Sequence, residues 1–261
     1  NKTIQRNAQD EEEVYSVSEQ EQQKVAMVVM AHADDAEFGC AGTVARWVKE
    51  DWEVYYVLCT DNSSGGPDES TDVSEEARKH VVETRMQEQR NACAVLGVKE
   101  VFFLGHHDGE LQPTIELRKE LVRLYRTYKP TRIICQSPVR SWEPVMSMGA
   151  SHPDHRAAGE AALSAAYPAS QNPWDFPELF AQEGLKPHKI TEIYVMGSPA
   201  NNYISDISST IELKWDALRA HTSQLGAHFD EIRTWIDAYH KNMGKKIGSD
   251  YAEEFHRTEN R

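Results

Sequence analysis

The sequence predicts an α/β fold, with a mostly parallel sheet that carries helices on both faces. Apolar runs typical of strands alternate with longer segments of helical periodicity along most of the chain. Parallel neighbours need crossover connections, which helices supply, and such sheets bind ligands beyond the carboxyl ends of their strands. Polar residues of catalytic type follow four successive predicted strands: His32, Asp34 and Asp35; Asp61 and Asn62; His106, His107 and Asp108; His152, Asp154 and His155.

The first half of the chain alternates strands and helices in order. Val25 to Ala31 is a continuous apolar run, as in a strand buried on both faces. Val44, Trp47 and Val48 have helical spacing within a predicted helix from about Gly39 to Lys49. The next predicted elements are a strand at Val54 to Cys59, a helix from Ser74 to Leu96 closed by Gly97, and a strand at Val101 to Leu104.

The second half continues the alternation. Pro130 stops one predicted helix, and Pro153 suits the first turn of another, which runs through an alanine-rich stretch. The predicted elements are a helix at Ile115 to Tyr128, a strand at Arg132 to Gln136, a helix from about Pro153 to Tyr167, a strand at Ile190 to Met196, and helices around Ile211 to His221 and Phe229 to Tyr239.

The composition indicates one folded domain with a polar arm. A chain of 261 residues with 39% hydrophobic content is long enough to bury one sizeable core. Residues 1–23 are rich in acidic residues, Ser and Gln and lack a core-forming periodicity, so we expect them to form a flexible arm. Residues 24–261 form the expected single domain.

Charge and cysteine usage exclude several classes of partner and location. The net charge of −14 repels phosphate backbones, so we expect neither nucleic acid nor an anionic membrane as a partner. No segment reaches the about 20 apolar residues that span a bilayer, and the N-terminus is polar where a secretory signal is apolar. Four scattered cysteines are expected to be buried free thiols, which suits the cytoplasm: Cys40, Cys59, Cys93 and Cys135.

Two short motifs carry the candidate site. Residues 32–35 (HADD) follow the first predicted strand, and residues 151–155 (SHPDH) lie in the loop after the fourth. Two imidazoles and one carboxylate presented to one point form a three-ligand set, which leaves one position for water, as in catalytic zinc sites. We therefore expect both motifs to form one metal-assisted hydrolytic site.

Each motif also contains a residue that is free for a second role. Adjacent Asp34 and Asp35 cannot easily point the same way, so one can ligate the metal while the other accepts a proton from the water. Likewise, one of His152 and His155 can ligate while the other, oriented by Asp154, protonates a leaving group or stabilises an oxyanion. The residues alone leave these assignments open.

The two motifs resemble those of a known family. Residues 31–39 (AHADDAEFG), followed by Gly42 and Thr43, are similar to the first motif of the LmbE-like, or PIG-L, N-acetylglucosaminyl deacetylases. The family includes deacetylases of the bacillithiol and mycothiol pathways. Residues 151–155 resemble its second motif, and weaker similarities at residues 85–98, 220–224 and 251–255 extend the match over about residues 25 to 256.

The resemblance implies a Rossmann-like α/β fold and a zinc-dependent hydrolase that removes acetyl from the 2-amino group of a glucosamine unit. It also implies a small N-acetylated amino sugar or its conjugate as substrate, Zn²⁺ with Fe²⁺ as an alternative ion, and a homo-oligomer, either trimer or hexamer. The matching positions are His32, Asp35 and His155 for the metal ligands, Asp34 for the general base, His152 for the second histidine, with Asp154 beside it, and Arg85 for a substrate contact.

One position departs from the family pattern. Ala33 stands where the family usually has proline. Since proline restricts the backbone, alanine is expected to loosen this loop slightly without removing any metal ligand.

Further candidates concern the rest of the substrate. Asn62 belongs to a segment, residues 61–67, that is either a flap contacting sugar hydroxyls or a plain solvent loop. Asp108 is a candidate for binding sugar hydroxyls. Trp142, in the long segment of residues 137–150, either stacks on a pyranose face or packs in the core or a subunit contact. Three other histidines are weaker candidates. We expect His106 and His107 to be polar loop residues, and His221 either caps the site or fills the core, with the core favoured.

Alternative functions use overlapping residues. A two-metal phosphoesterase holds its metals about 3.5–4 Å apart and here would use Asp34, Asp35, His106, His107 and Asp154. A noncatalytic sugar or metal binder would bind ligand without releasing acetate. A mononuclear iron oxygenase also uses two histidines and a carboxylate, but the second acidic residue beside the ligand fits hydrolysis better.

Overall fold

The computed structural model of the chain describes residues 24–140, 142 and 151–261. The predicted arm, residues 1–23, lies outside the described residues, as do most residues of the segment ahead of the second motif. The division into an arm and one domain therefore stays a prediction.

Within the described residues, seven strands form one sheet in the order β3-β2-β1-β4-β5-β7-β6. Strands β1 to β5 are parallel, and β7 runs antiparallel to both β5 and β6. The predicted α/β class with a mostly parallel sheet is thereby confirmed. The strands are β1 Val25–Met30, β2 Glu53–Thr60, β3 Glu100–His106, β4 Arg132–Gln136, β5 Glu192–Met196, β6 Tyr203–Asp206 and β7 Ala252–Glu259.

Helices cover both faces of the sheet. The side chains of Met27 and Val29 in β1 pack on one face, and those of Val28 and Met30 pack on the other. Both faces are buried, which explains the uninterrupted apolar run. The helices are α1 Asp35–Gly39, α2 Ala41–Lys49, α3 Glu75–Leu96, α4 Ile115–Tyr128, α5 Pro153–Ser164, α6 Pro177–Ala181, α7 Ile211–Arg219, α8 Thr222–Leu225 and α9 Phe229–Lys245, with short π and 3₁₀ turns at Ala165–Ala169 and Gly226–His228.

One helix and two strands differ from the sequence prediction for identifiable reasons. The helix expected from Gly39 begins earlier, at Asp35, and is broken at Cys40, where the backbone φ is −145°. Gly39 packs so closely on Met196 that an added Cβ would overlap its sulfur. Strands β6 and β7 were not predicted, because their sequences lack an apolar run. The strand β7 is hydrogen-bonded to β5, and β6 is hydrogen-bonded to β7. Tertiary context thus outweighs the intrinsic strand propensity of these residues.

The chain order creates a crevice between β1 and β4. From β1 the chain proceeds to β2 and β3 on one side, and from β4 it proceeds to β5 on the other. Open α/β sheets bind ligands at such a switch point, outside the carboxyl ends of the strands. The helix α5 approaches this point closely, since a Cβ added at Gly159 would overlap the backbone carbonyl oxygen of Gln136.

A buried ion pair connects the first motif to the C-terminal strand. Lys214 Nζ donates to Glu253 Oε1 at 2.8 Å and to the carbonyl oxygen of Phe38 at 2.7 Å. The carboxylate of Glu253 also accepts hydrogen bonds from the backbone N–H groups of Gly42 and Thr43. Burial alone would raise the pKa of Glu253, but the charges of Lys214 and His240 and the hydrogen bonds from Lys214 and Thr43 outweigh it and lower the pKa.

We expect Lys214→Met to lower the free energy of unfolding by about 3–5 kcal/mol, because it leaves Glu253 charged and buried without its cationic partner. Urea denaturation measures the change, with Lys99→Met as the matched control. Lys99 pairs with Glu53 at the surface, and its loss should cost less than about 1 kcal/mol. Equal losses for the two variants would contradict the assignment.

The stabilisation by this pair should also depend on pH. The pKa of Glu253 is lower in the folded chain than its ordinary value of 4.5. The pair therefore contributes fully above pH 4.5, and its contribution is lost as the pH falls through the folded-state pKa. The difference in stability between the native chain and Lys214→Met should accordingly shrink below pH 4.5.

Candidate active site

The two predicted motifs meet at the carboxyl edge of the sheet. His32 follows β1 directly, and His152 and His155 lie at the start of α5. The ring centroid of His32 lies 4.9 Å from that of His152 and 5.2 Å from that of His155. The centroids of His152 and His155 are 5.2 Å apart. Nitrogen atoms of the three imidazoles lie within 4.8 Å of one another and could hold a metal ion. The structure therefore brings the two motifs together, and the expected metal set of His32, Asp35 and His155 stays a prediction.

Carboxylates surround both nitrogens of His32. Nε2 lies 3.0 Å from Asp108 Oδ1 and 3.1 Å from Asp154 Oδ2, and Nδ1 lies 3.5 Å from Asp35 Oδ2. Burial would lower the pKa of His32, but hydrogen bonds with Asp108, Asp154 and Asp35 raise it to about 12. The electrostatics of this point thus favour a positive charge strongly.

Three groups from both motifs and from β4 hold the carboxylate of Asp35. Oδ2 accepts hydrogen bonds from the backbone N–H of His32 at 2.8 Å and from Gln136 Nε2 at 2.9 Å. Oδ1 lies 3.0 Å from His155 Nε2. Burial alone would raise the pKa of Asp35, but the charge and hydrogen bond of His155, followed by those of His32, lower it well below its usual value. Asp35 therefore presents an ionised, oriented carboxylate between the two motifs.

Asp34 points elsewhere and has a different environment. Its backbone lies in the left-handed region, with φ at 79°, which turns its side chain away from that of Asp35. Asp34 Oδ2 accepts a hydrogen bond from Arg85 Nη2 at 3.2 Å. Burial raises the pKa of Asp34 to about 6, against the opposing charge of Arg85. The two adjacent aspartates thus have separate surroundings, as the sequence predicted.

His152 caps the N-terminus of α5 and remains partly exposed. Its Nδ1 accepts a hydrogen bond from the backbone N–H of Asp154 at 3.2 Å. Because a neutral imidazole has one donor and one acceptor nitrogen, this bond places the proton on Nε2. Burial, followed by the charges of His32 and His155, lowers the pKa of His152. His152 is therefore a neutral side chain with an N–H donor.

The sequence suggested that Asp154 orients one of the two histidines of its motif. In the structure, however, the carboxylate of Asp154 does not contact His152. The carboxylate is fully buried and contacts His32 instead, with further hydrogen bonds from the backbone N–H groups of Gly109 at 2.7 Å and Leu111 at 3.2 Å. Only its backbone N–H reaches His152. Burial would raise its pKa, but the bonds to His32 and Gly109 lower it.

Two predicted substrate contacts are located where they support the loop of residues 32–35. Asn62 is fully buried, and its Oδ1 accepts a hydrogen bond from the backbone N–H of Ala33 at 2.6 Å. The amide of Asn62 is thus bonded to the backbone of this loop, and its expected contact with substrate stays a prediction. Arg85 is 5% exposed, and its Nη2 donates to the carbonyl oxygen of Ala33 at 2.6 Å as well as to Asp34.

The other predicted contacts lie in different surroundings. Asp108 borders the site directly, through its contact with His32. Trp142 is 81% exposed, with Arg140 above its ring at 5.3 Å. His106 Nε2 lies 2.7 Å from Glu120, and His107 Nδ1 lies 3.2 Å from Ser63 Oγ. Both imidazoles thus contact neighbouring side chains; His107 lies in the expected loop, whereas His106 is the last residue of β3.

Sequence reasoning missed several supporting residues. Gln136, the last residue of β4, donates to Asp35 and accepts a hydrogen bond from the backbone N–H of Ala31. Gln89 Oε1 accepts one from the backbone N–H of Asp34 at 3.1 Å, and Gln89 Nε2 donates to Glu37, whose other oxygen lies 3.2 Å from His221. His221 is fully buried, as predicted. The available signal was a polar residue within an apolar strand end or helix face, which needs a partner when buried.

A groove adjoins the cluster on the side of β2 and β3. Its volume is about 700 Å³, and it shares the loops after β2 and β3 with the site, since Asp108 contacts both His32 and the backbone N–H of Ser64. Its lining residues include Asp61, Ser63, Glu75, Arg78, Lys79 and His107.

A comparison with models of known protein families shows to which family the chain belongs. Residues 27–166 match the PIG-L family model, described as GlcNAc-PI de-N-acetylase. The chain belongs to the PIG-L family. The family resemblance of the two motifs is thereby confirmed. Separately, no helix among the described residues is long and apolar enough to cross a membrane.

Individual relatives of this PIG-L chain are deacetylases by name. Diacetylchitobiose deacetylase of Thermococcus kodakarensis is 32% identical over 231 residues, which cover 88% of this chain and 81% of that protein. Probable N-acetyl-alpha-D-glucosaminyl L-malate deacetylase 2 of Bacillus anthracis is 25% identical over 215 residues, covering 79% and 84%.

Solved structures show the same fold. N,N'-diacetylchitobiose deacetylase from Pyrococcus horikoshii, complexed with its inhibitor MPG, has a TM-score of 0.78 and 30% identity, covering 90% of this chain and 84% of that one. GalB, the 4-carboxy-2-hydroxymuconate hydratase of Pseudomonas putida, has a TM-score of 0.72 at 20% identity, covering 91% and 97%. The likeness to the hydratase concerns the fold alone, so the reaction must be argued from the side chains.

Proposed function

We propose that the chain hydrolyses the acetamide of an N-acetylglucosamine-type substrate, with a divalent cation held by His32, Asp35 and His155. The observation that carries this proposal is the convergence of both family motifs on one cluster, in which Asp35 joins the two histidines. Family membership and the named relatives support the deacetylase activity. Zinc is the proposed ion, since imidazole and carboxylate are its usual ligands, and iron is the alternative.

The hydrogen bonds of His32 support this ligand set. A neutral imidazole that donates Nε2–H to the carboxylates of Asp108 and Asp154 has a lone pair on Nδ1, the nitrogen facing Asp35. Histidines that bind metals commonly donate their other ring N–H to a carboxylate in this way. Asp108 and Asp154 are then supports of His32, although the same two oxygens with His32 Nε2 form a second possible group.

The excess of negative charge also fits a cation. Three carboxylates lie around one imidazole, and burial makes the repulsion between carboxylates costly. A dication at this point would offset that repulsion. The donor set therefore suits a divalent metal ion.

Each remaining side chain has a step in the proposed reaction. His32, Asp35 and His155 would hold a divalent cation, which would supply polarisation of the acetamide carbonyl and would lower the pKa of a water molecule toward about 7. Asp34, oriented by Arg85, accepts the proton of the attacking water. His152 donates Nε2–H to the developing oxyanion. The C–N bond then breaks as the amine nitrogen takes up the proton held by Asp34. The new carboxyl group gives its remaining proton to the amine, so acetate and a protonated amine leave.

The geometry disfavours the two-metal phosphoesterase. That alternative needs His106 and His107 at the metal centre, but the imidazoles bind Glu120 and Ser63 at the rim. Location and assembly stay predictions. The four cysteines are free and buried, which suits the expected cytoplasm. The expected trimer or hexamer rests on the family resemblance.

We expect Asp34→Asn to keep its metal but to lose turnover about 100- to 10,000-fold, because it removes the proton acceptor. His155→Ala should lose both metal and turnover. Acetate release and metal content per chain measure the two effects. His106→Ala is the control and should keep both, since His106 pairs with Glu120 outside the cluster. Normal turnover in Asp34→Asn would show that another group is the base.

We expect Gln136→Leu to weaken metal binding about 10- to 100-fold, because it removes a hydrogen bond that orients Asp35. Competition with a chelator of known affinity measures the change. Gln87→Leu, on the exposed side of α3 where Gln87 bonds Asn91, serves as control. Unchanged affinity in Gln136→Leu would argue against Asp35 as a ligand.

The substrate class is tested by a panel of N-acetylated sugars, assayed for acetate release with chelator and with added Zn²⁺. We expect release from at least one N-acetylglucosamine compound, lost with chelator and restored by metal. A chain with metal bound that releases acetate from no member would exclude the deacetylase function. Binding without release would favour a noncatalytic sugar binder.

A further inference from the structure

Three side chains from two other elements hold the backbone of the loop that carries His32 and Asp34. Asn62 Oδ1, from the loop after β2, accepts the Ala33 N–H at 2.6 Å. From α3, Arg85 Nη2 donates to the Ala33 carbonyl oxygen at 2.6 Å, and Gln89 Oε1 accepts the Asp34 N–H at 3.1 Å. The peptide groups on both sides of Ala33 are thus fixed.

The bond from Ala33 to Asn62 has no solvent to replace it. Both residues are fully buried. If this bond were broken, neither the Ala33 N–H nor the Asn62 side-chain oxygen could bond to water instead. The bond therefore restricts the orientation of the Ala33 backbone strongly. Asn62 itself has a φ of 60°, in the left-handed region that asparagine tolerates better than most residues. The backbone there aims the side-chain amide at Ala33.

We propose that Asn62 is a positioning residue for the reaction, acting through Ala33. Ala33 lies between His32, a proposed metal ligand, and Asp34, the proposed base, so its peptide orientation sets the angle between the two side chains. The inference rests on the proposed function for its kinetic consequence, but the bond itself is a structural statement. It assigns a role to a side chain that the reaction does not contact.

The same bond explains how alanine serves at position 33. A proline ring fixes φ but has no N–H to donate, so it cannot bond with Asn62. Alanine leaves φ free, and the hydrogen bond to Asn62 restricts the backbone instead. The two residues therefore form a coupled pair, whose members should not vary independently.

The first test is Asn62→Gly, which keeps the left-handed backbone accessible and removes the acceptor. We expect kcat to fall about 10- to 100-fold, because a small misplacement of catalytic groups costs this much, whereas KM and metal content change little. Asp51→Gly is the matched control. Asp51 also has a positive φ, 65°, but lies at the opposite end of β2, so its kcat should equal that of the native chain.

The second test is a cycle with Ala33→Pro. In the native background this substitution leaves the buried Asn62 Oδ1 without a donor, so kcat should fall. In the Asn62→Gly background proline removes the unpaired N–H and restricts φ, so kcat should rise. Changes in kcat of opposite sign in the two backgrounds would support the coupling of Ala33 and Asn62. The same change in kcat in both backgrounds, or a normal kcat in Asn62→Gly, would overturn the proposal.

A readout independent of turnover is the hydrogen exchange of the Ala33 amide, followed by NMR on the labelled chain with and without Zn²⁺. We expect exchange at least about tenfold faster in Asn62→Gly than in the native chain or Asp51→Gly, as one lost bond of this kind allows. Unchanged exchange would overturn the inference whatever the activity. Absence of turnover in the native chain, with protected Ala33 exchange, would instead count against the proposed function alone.

Discussion

The site depends on one shared contact, the approach of Asp108 and Asp154 to the same nitrogen of His32. The distances are 3.0 and 3.1 Å, and the three residues come from the ends of β3 and β1 and from the start of α5. The contact fixes the ring plane of His32 and directs its other nitrogen to Asp35. It forms because parallel strands bring their carboxyl ends to one edge, where the chain order opens a crevice.

Burying three carboxylates beside this histidine is costly unless each is compensated. Backbone N–H groups supply much of the compensation: Gly109 and Leu111 donate to Asp154, and the N–H of His32 donates to Asp35. These donors belong to loops at strand ends, which have backbone groups free of the sheet ladder. The same loops that place the catalytic side chains therefore also stabilise their charges.

The fold and the residues of the candidate site could be predicted from the sequence because both follow local patterns. The apolar run of β1, the proline at the start of α5 and the two motifs are each contained within a few residues. The supports were not visible in this way. Gln136 looked like the last residue of a strand, and Asn62 like a turn residue, because their roles depend on contacts 101 and 29 positions away. Asn62 was consequently assigned to substrate, whereas in the structure its amide oxygen bonds the backbone N–H of Ala33.

Reaction chemistry and substrate selection are separate in this architecture. His32, Asp35 and His155 contact only the metal ion in the proposed reaction, so the group attached to the sugar must be distinguished by other residues. The groove beside the site carries acidic and basic side chains together, among them Asp61, Glu75 and Arg78. The opposite charges in this groove largely cancel, but their side chains still offer many hydrogen-bond donors and acceptors. Such a groove suits a ligand with hydroxyl groups better than it suits a strongly charged ligand. A hydratase shares the fold at 20% identity, so the fold alone does not determine the reaction.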